Sequence, residues 1–274
     1  MTLPGMPRRL FSCTPSRLAS FDCPRRYRFT YLDKPMPQRG RPWAHNTVGA
    51  TVHLALAKWW SLATSERTVA AGERLVTENW HDDGFRDAEQ SARWRAVAGA
   101  WVARYLGDID AGRDPVGVER TVSATTDALA ISGRIDRVDD RGDELVVVDY
   151  KTGKRTSTAD EARGSLALAL YVLAVRRTLR RACRRVELHH VPSGTVAAFD
   201  HTDESLARHV ARAEATAADI VTATDTLAAG AHTDEMFPPR PSPACSWCDF
   251  RAHCPEGLAA SGEFEPWAGL DLNV

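Results

Sequence analysis

The sequence predicts an α/β fold, and three observations carry that prediction. Apolar residues recur at helical spacing over 46–63 and 87–106. The period then changes to that of strands over 116–150, and a helix, a hairpin and a long helix follow in turn to about residue 229. At 274 residues, with 43% hydrophobic and 26% charged residues, the chain can bury one substantial core or at most two small ones. No internal repeat and no long linker divides it, so 1–274 reads as a single domain. The formal net charge of −1 excludes a surface coated in positive charge, and any nucleic-acid contact must be a local patch. Arg25, Arg26 and Arg28 form one candidate patch and the run from Arg176 to Arg185 another, although arginines at a helix end also simply face water. The opening MTLPGMPRRLFSC lacks the apolar stretch of an export signal, and no run of about 18 apolar residues suggests a membrane span. A cytoplasmic protein is therefore expected.

The elements are justified in order as follows. Thr14 suits an N-cap and Pro15 a first helical position, so a short helix should deliver Cys23 at its end. A Pro- and Arg-rich loop is expected from there to about residue 45. Asn46 can cap a helix with Val48, Val52, Ala55, Leu56 and Trp59 at helical spacing. Trp94, Val97, Trp101 and Tyr105 repeat the pattern in the next helix, as core aromatics more naturally than as a base-stacking platform. Three strands are expected within 116–150. Thr158 and Glu161 form a capping box opening one helix through ARGSLALALYVLAVRR. A hairpin turning at 192–194 and an Ala-rich helix over about 203–229 complete the core.

Within GRIDRVDDRGDELVVVDYKTGK, a two-residue loop of Gly142 and Asp143 suits a type II′ turn. That register sets Asp136 across from Asp149, with side-chain carbons about 5 Å apart, an arrangement that repels itself unless a cation lies between. Lys151 projects from the same face as Asp149, roughly 7 Å along the strand. A surface ion pair at a strand end is the bland reading of this D-x-K tripeptide. The apolar run Leu145 to Val148 argues instead for a buried strand that delivers charges to a sheet rim. His53, one turn after Gly49, adds a possible third ligand, and Glu119 a further carboxylate. The spacing of Cys245, Cys248 and Cys254 brings three thiolates toward one centre and leaves a tetrahedral site one ligand short. Cys23 is the best candidate for the fourth, with Cys13 its competitor, while Cys183 reads as an ordinary free thiol. Zinc and iron–sulfur both remain open on spacing alone.

Taken together, TPSRLASFDCPRRYRF, GATVH, GRID, VVDYKTGK and the cysteine triplet resemble the RecB-like branch of the PD-(D/E)xK nuclease superfamily. The likeness is to its iron–sulfur members, related to AddB nuclease domains and CRISPR-adaptation exonucleases, and covers nearly the whole chain. The resemblance implies a restriction-endonuclease-like mixed sheet flanked by helices. It implies a 4Fe-4S cluster on Cys23, Cys245, Cys248 and Cys254, with 1–45 and 232–260 forming the cluster region and 46–230 the catalytic core. It implies Mg²⁺ or Mn²⁺ on His53, Asp136, Asp149 and the Tyr150 carbonyl, with Lys151 orienting water. Tyr171 matches the family's helix tyrosine, in contact with DNA or as a core residue, but Ala167 stands where a Gln is common. The expected activity is metal-dependent DNA hydrolysis, exonucleolytic on single strands or ends, in repair or recombination. The alternative is a weakly active or inactive iron–sulfur DNA-binding accessory of a helicase. No GxxxxGK[ST] loop is present, so an unwinding motor would be another chain.

Overall fold

Leu145, Val146, Val147 and Val148 are all fully buried, as a strand covered on both faces requires, and they lie in β4 (Leu145–Lys151) near the middle of a six-stranded mixed sheet. The computed structural model describes residues 10–270. Most of the stretch read for an export signal (1–9), and the last four residues of the 1–274 span, lie outside the described residues.

The sheet is organised by β3 (Leu129–Asp140). Along one edge it pairs antiparallel with β2 (Gly117–Thr125), from Gly117↔Val138 to Thr125↔Ala130. Its other edge is divided between two partners. The short β1 (Phe11–Cys13) runs parallel to residues 129–131, and β4 runs antiparallel to residues 137–140. Residues 132–136 of β3 therefore face an opening between β1 and β4. Beyond β4 lie the parallel β5 (Cys183–His190) and the antiparallel β6 (Thr195–Asp200). Parallel pairing of β4 with β5 needs a crossover, and α6 (Ala159–Gly164) with α7 (Leu166–Leu179) supplies it.

On one face, α3 (Ala44–Trp60), α4 (Val69–Glu78) and α5 (Ala88–Gly107) cover Val146, Val148 and Tyr150. On the other, α7 covers Leu145, Val147, Val186 and Leu188. A third cluster joins α1 (Pro15–Ser20), α2 (Pro24–Tyr31) and α8 (Asp203–Ala228) to Leu129, Ile131 and Phe237. The short α9 (Thr233–Met236) and α10 (Pro255–Ala260) lead into and out of the cysteine-rich segment. The expected layering of helices on both faces of a mixed sheet is what the structure has.

Several local signals act as read. Thr14 accepts from the Arg17 amide at the start of α1, and the Thr158–Glu161 capping box is complete. Other expectations are corrected. The loop expected after Cys23 contains α2, with Cys23 as its N-cap and Pro24 at its first position. Packing of Tyr27 and Phe29 holds this helix rather than propensity. The next helix starts at Ala44, not after Asn46, because the Asn46 and Thr47 amides already bond to the Trp43 carbonyl. The helix after the capping box breaks at Ser165, whose extended backbone ends α6 and whose hydroxyl caps α7 at the Leu168 amide. Sequence reading also missed β1, too short to show a period, and α4, although its buried Ala71, Gly72, Leu75 and Val76 recur at helical spacing.

Candidate active site

The β3–β4 hairpin has the expected register. Arg141 N–H donates to the Glu144 carbonyl at 3.0 Å, Gly142 takes a φ of +92°, and Val138 faces Val147. Continued one step past Arg137↔Val148, this register sets Asp136 beside Asp149 at the point where β3 and β4 part. On the opposite edge, Val118↔Arg137 and Arg120↔Ile135 bracket Glu119, which lies against Asp136. Three carboxylates thus stand in a row across three strands. Glu119 has a φ of +47°, a left-handed conformation that costs a non-glycine residue about 1–3 kcal/mol and is tolerated where the site demands it.

The helices add the remaining groups. From α3, His53 Nδ1 lies 3.3 Å from Asp136 Oδ1, its ring edge-on to Tyr150 at 5.7 Å. Gly49, one turn earlier, allows α3 close to the end of β4, since a Cβ there would sit 3.0 Å from Thr152 Oγ1. From α7, Tyr171 reaches over Gly133, where a Cβ would come within 2.4 Å of the ring. The Tyr150 N–H donates to Asp136 Oδ2 at 2.8 Å, and Lys151 Nζ lies 2.6 Å from Asp149 Oδ2. A cleft of about 820 Å³ opens here, with His45, His53, Glu119, Asp136 and Tyr171 among its walls.

The electrostatics are those of uncompensated negative charge. Burial pushes the Asp149 carboxyl above its ordinary range; Lys151 opposes this and Asp136 adds to it. Glu119 is raised likewise by burial, against the pull of Arg134 at 2.7 Å and with the push of Asp136. Burial alone would lower His53. The hydrogen bond its ring donates to Asp136 and the charges of Asp136, Asp149 and Glu119 hold it above its usual value instead. Burial, then Asp149 and Asp136, raises Tyr171. Lys151 and Arg134 leave the three carboxylates one positive charge short unless His53 is protonated.

Among the described residues, His53, Glu119 and Asp136 form the one trio of His, Cys, Asp or Glu whose ligand atoms all lie within 4.8 Å of one another. Two oxygen donors and one imidazole suit a small hard divalent ion. The structure therefore brings His53 and Asp136 together as expected. It promotes Glu119 from a marginal candidate to a close neighbour and turns Asp149 toward Lys151. The signal for Glu119 was available: the β2–β3 register carries it to Asp136.

The four cysteines singled out by spacing meet at one cavity, which Cys23, Cys245, Cys248 and Cys254 all line. All are free and partly exposed, whereas Cys13 and Cys183 are buried elsewhere, at 3% and 0% exposure. Cys13 is thereby removed as a competitor. Cys23 and Cys254 share a local device, each an N-cap followed by Pro, which places a sulfur at a helix start. The Ser242 and Gly257 amides donate to Cys245 and Cys254 sulfurs, each at 3.4 Å.

Of the two arginine patches, the first is corrected at Arg25 and Arg28, while the second keeps both its readings, since its pairs are partly exposed and Arg177 and Arg180 have no acidic partner among the described residues. Arg25 is 6% exposed and pairs with Glu256 and, at 2.9 Å, with Asp234, while Arg28 pairs with Asp33 and Asp234. These cations tie the N-terminal helices to the C-terminal segment and are not free for phosphate. In the second run, Arg176, Arg181, Arg184 and Arg185 are engaged by Asp203, Asp140, Glu144 and Glu187.

A protein named “Putative exonuclease” from Eubacterium rectale has a similar crystal structure, with a TM-score of 0.46 and 11% sequence identity over 73% of this chain and 76% of that one. The search of curated proteins found no match. No helix among the described residues is long and apolar enough to cross a membrane. The sequence profile of the PD-(D/E)XK nuclease superfamily matches residues 12–255, and the chain belongs to that superfamily.

Proposed function

We propose that this protein is a divalent-metal-dependent DNA nuclease, acting as an exonuclease on single strands or DNA ends in repair or recombination, beside a partner helicase. The observation that carries the reading is the row Glu119–Asp136–Asp149 across β2, β3 and β4, with His53 at its centre and Lys151 at its end. A bound Mg²⁺ or Mn²⁺ would polarise the scissile phosphate and acidify an attacking water. His53, Asp136 and Glu119 would hold that ion, with Asp149 and the Tyr150 carbonyl joining as ligands. Tyr150 fixes the Asp136 carboxylate through its amide, so one oxygen is oriented before any ligand arrives. Lys151 stands where its ammonium can orient the attacking water or meet charge developing on the phosphate. Tyr171, held over Gly133, offers a hydroxyl to a phosphate oxygen.

In the cavity they share, Cys23, Cys245, Cys248 and Cys254 would hold a 4Fe-4S cluster, one thiolate to each iron. Such a cluster would join 1–45 to 232–260 across the chain ends, in parallel with the Arg25 ion pairs. The binding-only reading and this one separate in a single assay. Wild type with Mn²⁺ or Mg²⁺ should degrade end-labelled single-stranded DNA, and Asp149→Ala should lose at least about 10³-fold of that rate, as for removal of a transition-state contact in other enzymes. Equal digestion by both proteins, or by neither, rejects the nuclease assignment.

A further inference from the structure

We infer that an aromatic track built by Trp247, Trp43 and His45, with Phe264 at its outer end, stacks the unpaired bases of a single-stranded DNA leading into the cleft. Trp247 and Phe264 are among the few large apolar side chains left at the surface, at 36% and 42% exposure. They stand together, with ring centroids 4.9 Å apart. Trp247 continues inward to Trp43 at 4.9 Å and to His45 at 5.2 Å. His45 is also a wall of the cleft that holds His53 and Asp136, so the aromatic surface is continuous with the candidate active site.

Position along α3 gives the scale. His45 precedes His53 by eight residues, or on the order of 12 Å of helix, which places the track a few nucleotides from the scissile bond. A second cavity, bounded by His45, Trp94, Trp101 and Lys154, adjoins the cleft on the same side. Two exposed arginines flank the aromatics. Arg39 pairs with Asp249 at 3.7 Å and Arg41 with Glu265 at 3.1 Å, exposed pairs that a phosphate can replace at little cost. Aromatic faces that accept any base, edged by cations for the backbone, are the chemistry of single-strand binding without sequence preference. Duplex DNA presents no free base faces and would gain nothing from the track.

The direction of the track rests on the nuclease reading, but its existence does not, and binding measured apart from cleavage keeps the two separate. Fluorescence anisotropy of a labelled oligothymidylate, with full-length Asp149→Ala protein, reads affinity without digestion. Adding Trp247→Ala should weaken binding roughly tenfold. Trp247→Phe should restore it to within about twofold, and Phe264→Ala should weaken it by a smaller factor. An abasic strand of the same length should bind the parent and Trp247→Ala proteins equally, because only its phosphates remain. Unchanged thermal midpoints establish that each variant is folded. The inference is overturned if Trp247→Ala leaves oligothymidylate affinity unchanged, as it would were the patch a protein-docking surface. An equal loss on the abasic strand overturns it too. If wild type fails to digest DNA while these binding differences hold, the nuclease reading falls and the track stands.

Discussion

Strands β2 to β5 carry two clusters of charged residues built on opposite principles. At the opening between β1 and β4, Asp136, Glu119 and Asp149 outnumber their cations and stay in reach of solvent. The side chains of Asp136 and His53 are 18% and 30% exposed. Toward the hairpin end, Arg137, Glu187 and His189 lie at 2%, 6% and 5% exposure, and every charge is answered. Arg137 forks onto Asp139 at 2.8 and 3.0 Å and donates to the Tyr105 and Tyr150 hydroxyls at 3.1 Å. Tyr105, accepting from Arg137, is left to donate to His189 Nδ1 at 2.8 Å, and His189 Nε2–H then donates to Glu187 at 2.9 Å. Arg185 and Arg141 complete the Glu187 carboxylate. With Asp200 on Arg185 at 3.2 Å, three cations face three carboxylates in the second cluster, which is satisfied from within and so holds the sheet together. The first is unbalanced, and that imbalance makes it the candidate site for a cation.

The sharpest way to break the contrast is to exchange the consequences of losing one charge. Asp136→Asn should reduce DNA degradation by at least about 10³-fold. The melting temperature of the metal-free protein should be unchanged or higher, because a repulsion has been relieved. A lower melting temperature with activity retained would make Asp136 structural, like the hairpin cluster.

Arg137→Met should do the reverse. It strips the buried Tyr105 and Tyr150 hydroxyls of their donor and leaves Asp139 only Arg141 at 3.3 Å, and should cost about 3 kcal/mol, or a fall in melting temperature of about 10 °C, read by calorimetry.

Next in size is the acid side of the stability profile. Burial alone would raise Glu187, but the hydrogen bonds from His189 and Arg185 and the Arg141 charge hold its carboxyl down at about 2. The unfolded chain therefore takes up this proton first. Its contribution, about 3 kcal/mol, is fully present above pH ~4.5 and is lost as pH falls toward 2. Denaturant unfolding across that window should show the decline in wild type, and Glu187→Gln should flatten it. An unchanged slope would remove Glu187 from the account.

The smallest effect sharpens the cleft side. Mn²⁺ at about a hundred times its dissociation constant should stabilise wild type by about 2.7 kcal/mol and Asp136→Asn by far less. Equal stabilisation of both would place the ion elsewhere.

Much of this was legible in the sequence because it depends on neighbours along the chain. Gly142 fixes the turn, the turn fixes the register, and the register alone sets Asp136 beside Asp149. The Thr158–Glu161 box is equally local. What stayed hidden depends on partners far away in sequence. Helix α2 forms because Tyr27 and Phe29 find aromatic neighbours, and the break at Ser165 shows only once α6 and α7 lie on different parts of the sheet.

Glu119 lay between these limits. Its strand was read correctly, but its place in the trio needed the second edge of β3 and a backbone turned to a φ of +47°. The sequence by itself determined which carboxylates oppose one another, since strand period and turn chemistry are short-range. Only the tertiary structure decided which charges are neutralised. Arg25 meets Asp234 and Glu256 from more than 200 residues away, and Arg137 meets Tyr105 from another layer. Ion pairs depend on distance in space, which the order of residues does not carry, so the same residue types became a staple, a buried network and an open candidate site for a cation.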